Sequence, residues 1–107
     1  MIVELDTAAF KTAVIEAGVP VLVGFYADWC GPCQTQQPML QRLSEAVETR
    51  ARLVKVNVDR SPELADLFAV RSIPTMILFA KGKIAGRFTG VTPTKTLAAA
   101  IIASLGD

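Results

Sequence analysis

Pro20-Val21-Leu22-Val23-Gly24-Phe25-Tyr26-Ala27 runs directly into Asp28-Trp29-Cys30-Gly31-Pro32-Cys33. The first eight residues are continuously apolar rather than alternating, the pattern of a central strand covered on both faces. The next six bring two thiols to a spacing of three positions, and these are the only cysteines in the chain. A thiol pair at that spacing, where a strand hands over to a helix, can close reversibly into a small disulfide ring that carries electrons in pairs. The stretch therefore predicts a buried strand with redox chemistry at its end.

Upstream, Ile2 to Leu5 reads as a short strand. Asp6 or Thr7 caps a helix with Ala9, Phe10, Val14 and Ile15 on one face, ended by Gly18. Downstream, the cysteines open a helix that runs to about Thr49, with Pro38 inside it as a source of a kink. Leu53 to Val58 is a second apolar strand, and Ser61-Pro62-Glu63 starts a helix ending near Phe68. Thr75 to Ala80, the turn Lys81-Gly82-Lys83 and Ile84 to Thr89 form a β-hairpin. Thr92-Pro93 caps a last helix whose Leu97, Ile101, Ile102 and Leu105 are expected inward, with Gly106 as its stop. The order β-α-β-α-β-α-β-β-α implies an α/β/α sandwich around a mixed sheet.

With 107 residues, 51% hydrophobic and 20% charged, the chain suits one well-packed domain and does not need a disulfide for stability. The net charge is +1 with scattered Lys and Arg, so neither nucleic acid nor a membrane is expected as a partner. Val19 to Ala27, the longest apolar stretch, is too short to span a bilayer. Glu4 and Asp6 stand where a secretory leader would carry basic residues, so a cytoplasmic protein is expected. In a reducing cytosol a Cys-x-x-Cys is catalytic or metal-binding rather than structural.

If the helix begins at Cys30, its free N–H groups and the positive end of its dipole stabilise a thiolate there. Cys30 is then the nucleophile that attacks a substrate disulfide, and Cys33, one turn inside, the thiol that resolves the mixed disulfide. An ordinary thiol has a pKa of about 8.5, so a value near ~7 would make roughly half of it reactive at neutral pH. Gly31 and Pro32 shape the turn and tune the balance between oxidised and reduced states. Half a zinc site is the main competing reading. It would need four ligands in a chain with no His and no further Cys, so no metal is expected.

At this point the sequence resembles the thioredoxin family over nearly its whole length. The residues that carry the likeness are Phe25 to Cys33, Pro38, Lys55-Val56-Asn57-Val58-Asp59, Ile73-Pro74-Thr75 and Gly90. The resemblance implies the thioredoxin fold, with a central mixed five-stranded sheet, as a single domain over residues 1–107. It implies general protein-disulfide reductase activity, no cofactor beyond the Cys30/Cys33 pair, and re-reduction by a thioredoxin reductase. It further implies a cis Ile73–Pro74 bond beside the cysteines. The Ile73 backbone would pair with an extended substrate segment, Trp29 would lie against the disulfide in the docking surface, and Gly90 would leave room for substrate backbone.

Three positions depart from the family pattern. Gly24 stands where a buried Asp usually takes the proton of the resolving thiol and pairs with the lysine matching Lys55. Lys55, left without that partner, is expected to carry its ammonium to water. Gln34 replaces a frequent basic residue, and Tyr26 replaces a frequent Trp as a packing change. A slower or differently pH-dependent resolving step is expected. The alternatives are a specialised reductant for one dedicated partner, favoured modestly by Gly24 and Gln34, and a non-redox binding module. With no long apolar face left once the sheet is covered, a monomer is expected.

Overall fold

The computed structural model describes residues 2–106. The strands are β1 (Val3–Glu4), β2 (Val21–Tyr26), β3 (Arg52–Asn57), β4 (Thr75–Ala80) and β5 (Lys83–Thr89). The helices are α1 (Thr7–Phe10), α2 (Gly31–Val47), α3 (Pro62–Leu67) and α4 (Thr94–Leu105). The sheet order is β1-β3-β2-β4-β5, with β1, β3 and β2 parallel, β4 antiparallel to β2 and β5 antiparallel to β4. This is the expected three-layer thioredoxin-type α/β fold.

β2 lies at the centre, and the alternation of its side chains divides the core. Val21, Val23 and Phe25 join Phe10, Val14, Leu64, Ile77 and Phe79 under α1 and α3. Leu22 joins Leu40, Leu43, Met76, Leu78, Leu97 and Ile101 under α2 and α4. All five residues from Val21 to Phe25 are buried, which is why the run shows no polar alternation. Fully burying side chains of this size stabilises the fold by roughly 1.5–3 kcal/mol each. Phe68 packs its ring 5.2 Å from Phe79 and 5.4 Å from Phe10, closing the α1/α3 side.

Local differences from expectation have identifiable causes. α1 widens after Phe10 into a π-helical turn, Lys11–Ile15, in which the Glu16 N–H bonds the Lys11 carbonyl at 3.0 Å. Ala9, one position before Phe10, is exposed, while Ala13 and Ile15 pack on the core beside Phe10 and Val14. Ser61 occupies the N-cap of α3 without a side-chain cap bond, leaving Pro62 and Glu63 as the start signals. Of the four α4 side chains expected inward, only Leu97 and Ile101 are buried. Ile102, rotated 100° from Ile101, is 63% exposed, and Leu105 on the last turn is 40% exposed. Lys81 and Gly82 both take positive φ, making the tight turn that matches strand twist in a hairpin.

Candidate active site

The last residues of β2 and the first turn of α2 deliver the cysteine pair. Cys30 is the N-cap of α2, in extended backbone conformation, and its Sγ accepts the Cys33 N–H at 3.2 Å. The cap thus places a sulfur where a Ser or Asp oxygen usually sits, at the positive end of a 17-residue helix. Cys30 and Cys33 are joined as a disulfide with their Cα atoms 5.3 Å apart. Pro32 lies in the first turn, where its missing N–H leaves no helical bond unmade. Exposure does not separate the two sulfurs: Cys30 is 4% and Cys33 5% accessible. What separates them is the helix terminus.

Ala27, Tyr26, Val58 and Ile73 pack around the two cysteines. The Ile73–Pro74 bond is cis, and the Ile73 carbonyl oxygen lies 3.8 Å from the Cys30 Sγ. With no hydrogen on a disulfide sulfur, this is a contact rather than a hydrogen bond. The Gly90 N–H bonds the Pro74 carbonyl at 2.8 Å, which brings the 90–92 loop to the same rim. Gly90 has φ +86°, a conformation glycine adopts without the steric cost of a Cβ, and open space lies where a Cβ would stand. Trp29 is 71% exposed, and its indole N–H donates to Asp59 at 2.7 Å. Ile73 thus touches Cys30 and Pro74 borders Cys33, Gly90 reaches them through its bond to Pro74, and Trp29, next to Cys30 in the chain, turns its indole N–H to Asp59.

Several residues that build this rim escaped the sequence reading. Gln36, only 1% exposed, donates to the Thr92 carbonyl at 3.0 Å and accepts the Thr92 N–H at 2.7 Å, locking the 90–92 loop to α2. Its signal was its place three residues after Cys33, on the inward face of the helix. Arg60 binds Glu4 through two nitrogens at 2.9 and 3.1 Å, Asp28 at 3.2 Å and the Tyr26 hydroxyl at 3.2 Å. Tyr26 itself donates to Glu4 at 2.6 Å, so the tyrosine is more than a packing change. Hydrogen bonds from Arg60 and then from Tyr26 hold the Glu4 carboxyl below its usual range. Burial, followed by the bond to Glu4, pushes the Tyr26 hydroxyl up.

Below Cys33 the space at Gly24 is small. A Cβ there would stand 3.2 Å from Leu40 Cδ1, and the cavity between Gly24, Cys33, Gln36 and Leu40 is about 10 Å³. Beside Cys33 a larger groove of about 220 Å³ opens between Tyr26, Asp28, Gln34, Gln37 and Lys55. Lys55 is half-buried, with its ammonium 5.2 Å from the Tyr26 ring centre. Among the described residues no three His, Cys, Asp or Glu side chains gather as metal ligands.

The thioredoxin family model matches residues 1–103. The chain belongs to the thioredoxin family. It is 40% identical over 91 residues to thioredoxin 1 of Synechococcus elongatus, covering 85% of each chain. It is 37% identical over 98 residues to the thioredoxin of Synechocystis, covering 92% of each. The chloroplastic M-type thioredoxin of Chlamydomonas reinhardtii is 40% identical over 88 residues, 82% of this chain and 63% of that one. As a thioredoxin carrying a closed Cys30–Cys33 pair, the protein is a thiol–disulfide oxidoreductase that reduces protein disulfides by dithiol–disulfide exchange. Family membership implies disulfide substrates and a thioredoxin reductase as its general partners. Among the described residues no helix is long and apolar enough to cross a membrane.

Proposed function

We propose that Cys30 is the attacking thiolate of this reductase and Cys33 its resolving thiol. The Cys33 N–H aimed at the Cys30 Sγ carries the assignment, because it lowers the energy of negative charge on that sulfur alone. The Cys30 thiolate attacks one sulfur of a substrate disulfide, forming a mixed disulfide and releasing the other sulfur as a thiolate. The Cys33 thiolate then attacks the Cys30 Sγ, closing the intramolecular bond and freeing the second substrate thiolate. Gly31 and Pro32 tune the pair by holding the first turn of α2.

Substrate docks across Trp29, the Ile73 and Pro74 backbone, and Gly90. The Ile73 carbonyl beside Cys30 supports this reading, since an extended segment bonded there would pass over the sulfur. The whole chain acts as one domain and as a monomer, in the cytoplasm, where a thioredoxin reductase keeps the pair reduced. Nucleic acid and membranes are not its partners. Beyond Gly24 and Gln34 in the sequence, no observation favours the dedicated-partner reductant, and none favours the non-redox binding module.

Insulin reduction with dithiothreitol as electron source tests these roles. Cys30→Ser is expected to abolish turnover, while Cys33→Ser is expected to stop after one attack and accumulate a mixed disulfide visible on non-reducing gels. A mixed disulfide trapped by Cys30→Ser instead would reverse the assignment.

A further inference from the structure

Ile73 belongs to a segment without regular structure, Val70 to Pro74, between the end of α3 and the start of β4. Val70 and Ile73 touch the core, but Arg71 and Ser72 between them are exposed, so the ends of the segment decide its path. Strand β5 grips both ends. At one end the Gly90 N–H bonds the Pro74 carbonyl at 2.8 Å, next to the Thr75 hydroxyl that donates to the Ser72 carbonyl at 2.7 Å. At the other, Arg87 donates through its two terminal nitrogens to the carbonyls of Phe68 at 2.6 Å and Ala69 at 2.8 Å. Arg87 stands opposite Ile77 in the β4–β5 register, and Ile77 packs under α1 and α3. Side chains directly opposite share a face of the sheet, so Arg87 is turned towards α3. The last carbonyls of a helix have no partner within it, and here the guanidinium fork supplies two of the missing bonds. Ala69, where the helix hands over to the docking segment, holds φ +54°, a left-handed conformation that is unfavourable for a residue with a Cβ. Among the described residues Arg87 forms no ion pair, so no carboxylate competes for its fork.

We propose that Arg87 is a positioning residue for substrate: by holding the end of α3 it fixes the course of residues 70–73, and with it the Ile73 backbone that an extended disulfide substrate pairs with beside Cys30. The inference rests on the docking role proposed above for Ile73. It divides substrates into two kinds. A peptide or protein disulfide lies along the Ile73 backbone and depends on Arg87. A small disulfide that makes no backbone pairing reaches Cys30 without it. Releasing the fork lets the docking backbone take more positions, of which an extended substrate fits only some, so affinity falls while the chemistry at the sulfurs is unchanged. Lysine at this position keeps the charge but loses the planar two-point grip.

The test compares a neutral peptide disulfide with bis(2-hydroxyethyl) disulfide at pH 7 in the wild type, Arg87→Lys and Arg87→Met. For the peptide, KM is expected to rise about threefold or more in Arg87→Met and by less in Arg87→Lys, with kcat within about twofold of the wild type. For the small disulfide, kcat/KM is expected to stay within about twofold. An unchanged peptide KM, or equal losses for both substrates, overturns the positioning role. Ala69→Gly separates positioning from stability, because glycine adopts the left-handed conformation without steric cost. Added to Arg87→Met, it should restore melting temperature while the peptide KM stays raised. Recovery of KM together with melting temperature would reduce the clamp to a stability device and overturn the proposal. A peptide carrying a backbone N-methyl group beside its cysteine checks the docking itself and should bind the wild type more weakly. N-methylation without effect at either flanking residue would overturn the docking role of Ile73 beneath the proposal.

Discussion

At Gly24 one absent side chain links sequence to reaction rate. The nearest obstacle to a Cβ is Leu40 Cδ1 at 3.2 Å, the far end of a flexible side chain, so a larger residue fits if that methyl yields by a few tenths of an ångström. A carboxyl placed there would border the same small cavity as Cys33, in apolar surroundings that raise its pKa towards neutrality. Gly24→Asp is therefore expected to raise turnover near pH 7 by on the order of tenfold and to flatten its alkaline dependence. Its melting temperature should fall, because the acid replaces nothing polar. A folded Gly24→Asp protein with an unchanged rate and pH profile would show that proton transfer does not limit resolution. The residue scale also shows what a single sequence cannot display. Arg60 and Glu4 stand 56 positions apart and Arg60 and Tyr26 stand 34 apart, so only the β1-β3-β2 register brings the three together.

α2 connects chemistry to scaffold within its first two turns. Cys30 caps it, Cys33 lies one turn in, and Gln36 one turn further ties it to the loop that follows β5. Gln36→Leu would leave the Thr92 N–H and carbonyl without partners in a buried position. A stability loss of about 1–3 kcal/mol is expected, read as a lower urea midpoint, together with weaker substrate affinity as the Gly90 rim loosens. Elements were most legible where burial left the chain no alternative. β2 needed apolar residues at every position because both of its faces are covered, and the only two cysteines marked the start of α2. Legibility failed where apolar residues outnumber the places in the core, as on α4 with Ile102 and Leu105. It also failed at Ala9, which is exposed beside the buried Phe10. Gln36 was missed for a related reason: its partner Thr92 lies 56 residues away, beyond the reach of any local pattern.

For the whole molecule, the Glu4–Arg60–Tyr26 cluster ties edge strand β1 to the active-site end of β2 and to the loop after β3. Because folding lowers the Glu4 pKa, the unfolded chain binds more protons than the folded one between the two values. The stabilisation is complete above the ordinary carboxylate value and is lost as pH falls through the lowered one. From about pH 6 down to pH 3 the wild type should therefore lose more of its urea midpoint than Glu4→Gln does. The effect is expected to be modest, since Arg60 and Glu4 are partly solvated and salt screens them. Parallel acid limbs in the two proteins would remove Glu4 from the acid response. The two borders of the sheet have a different consequence. One border is β1, only two residues long; the other is β5, which carries Lys83 and Arg87 and is interrupted by a register shift opposite Leu78 and Phe79. Short, charged and bulged margins are poor templates for a further strand. With such margins the protein can be kept at high concentration without its own sheets joining side by side into fibres.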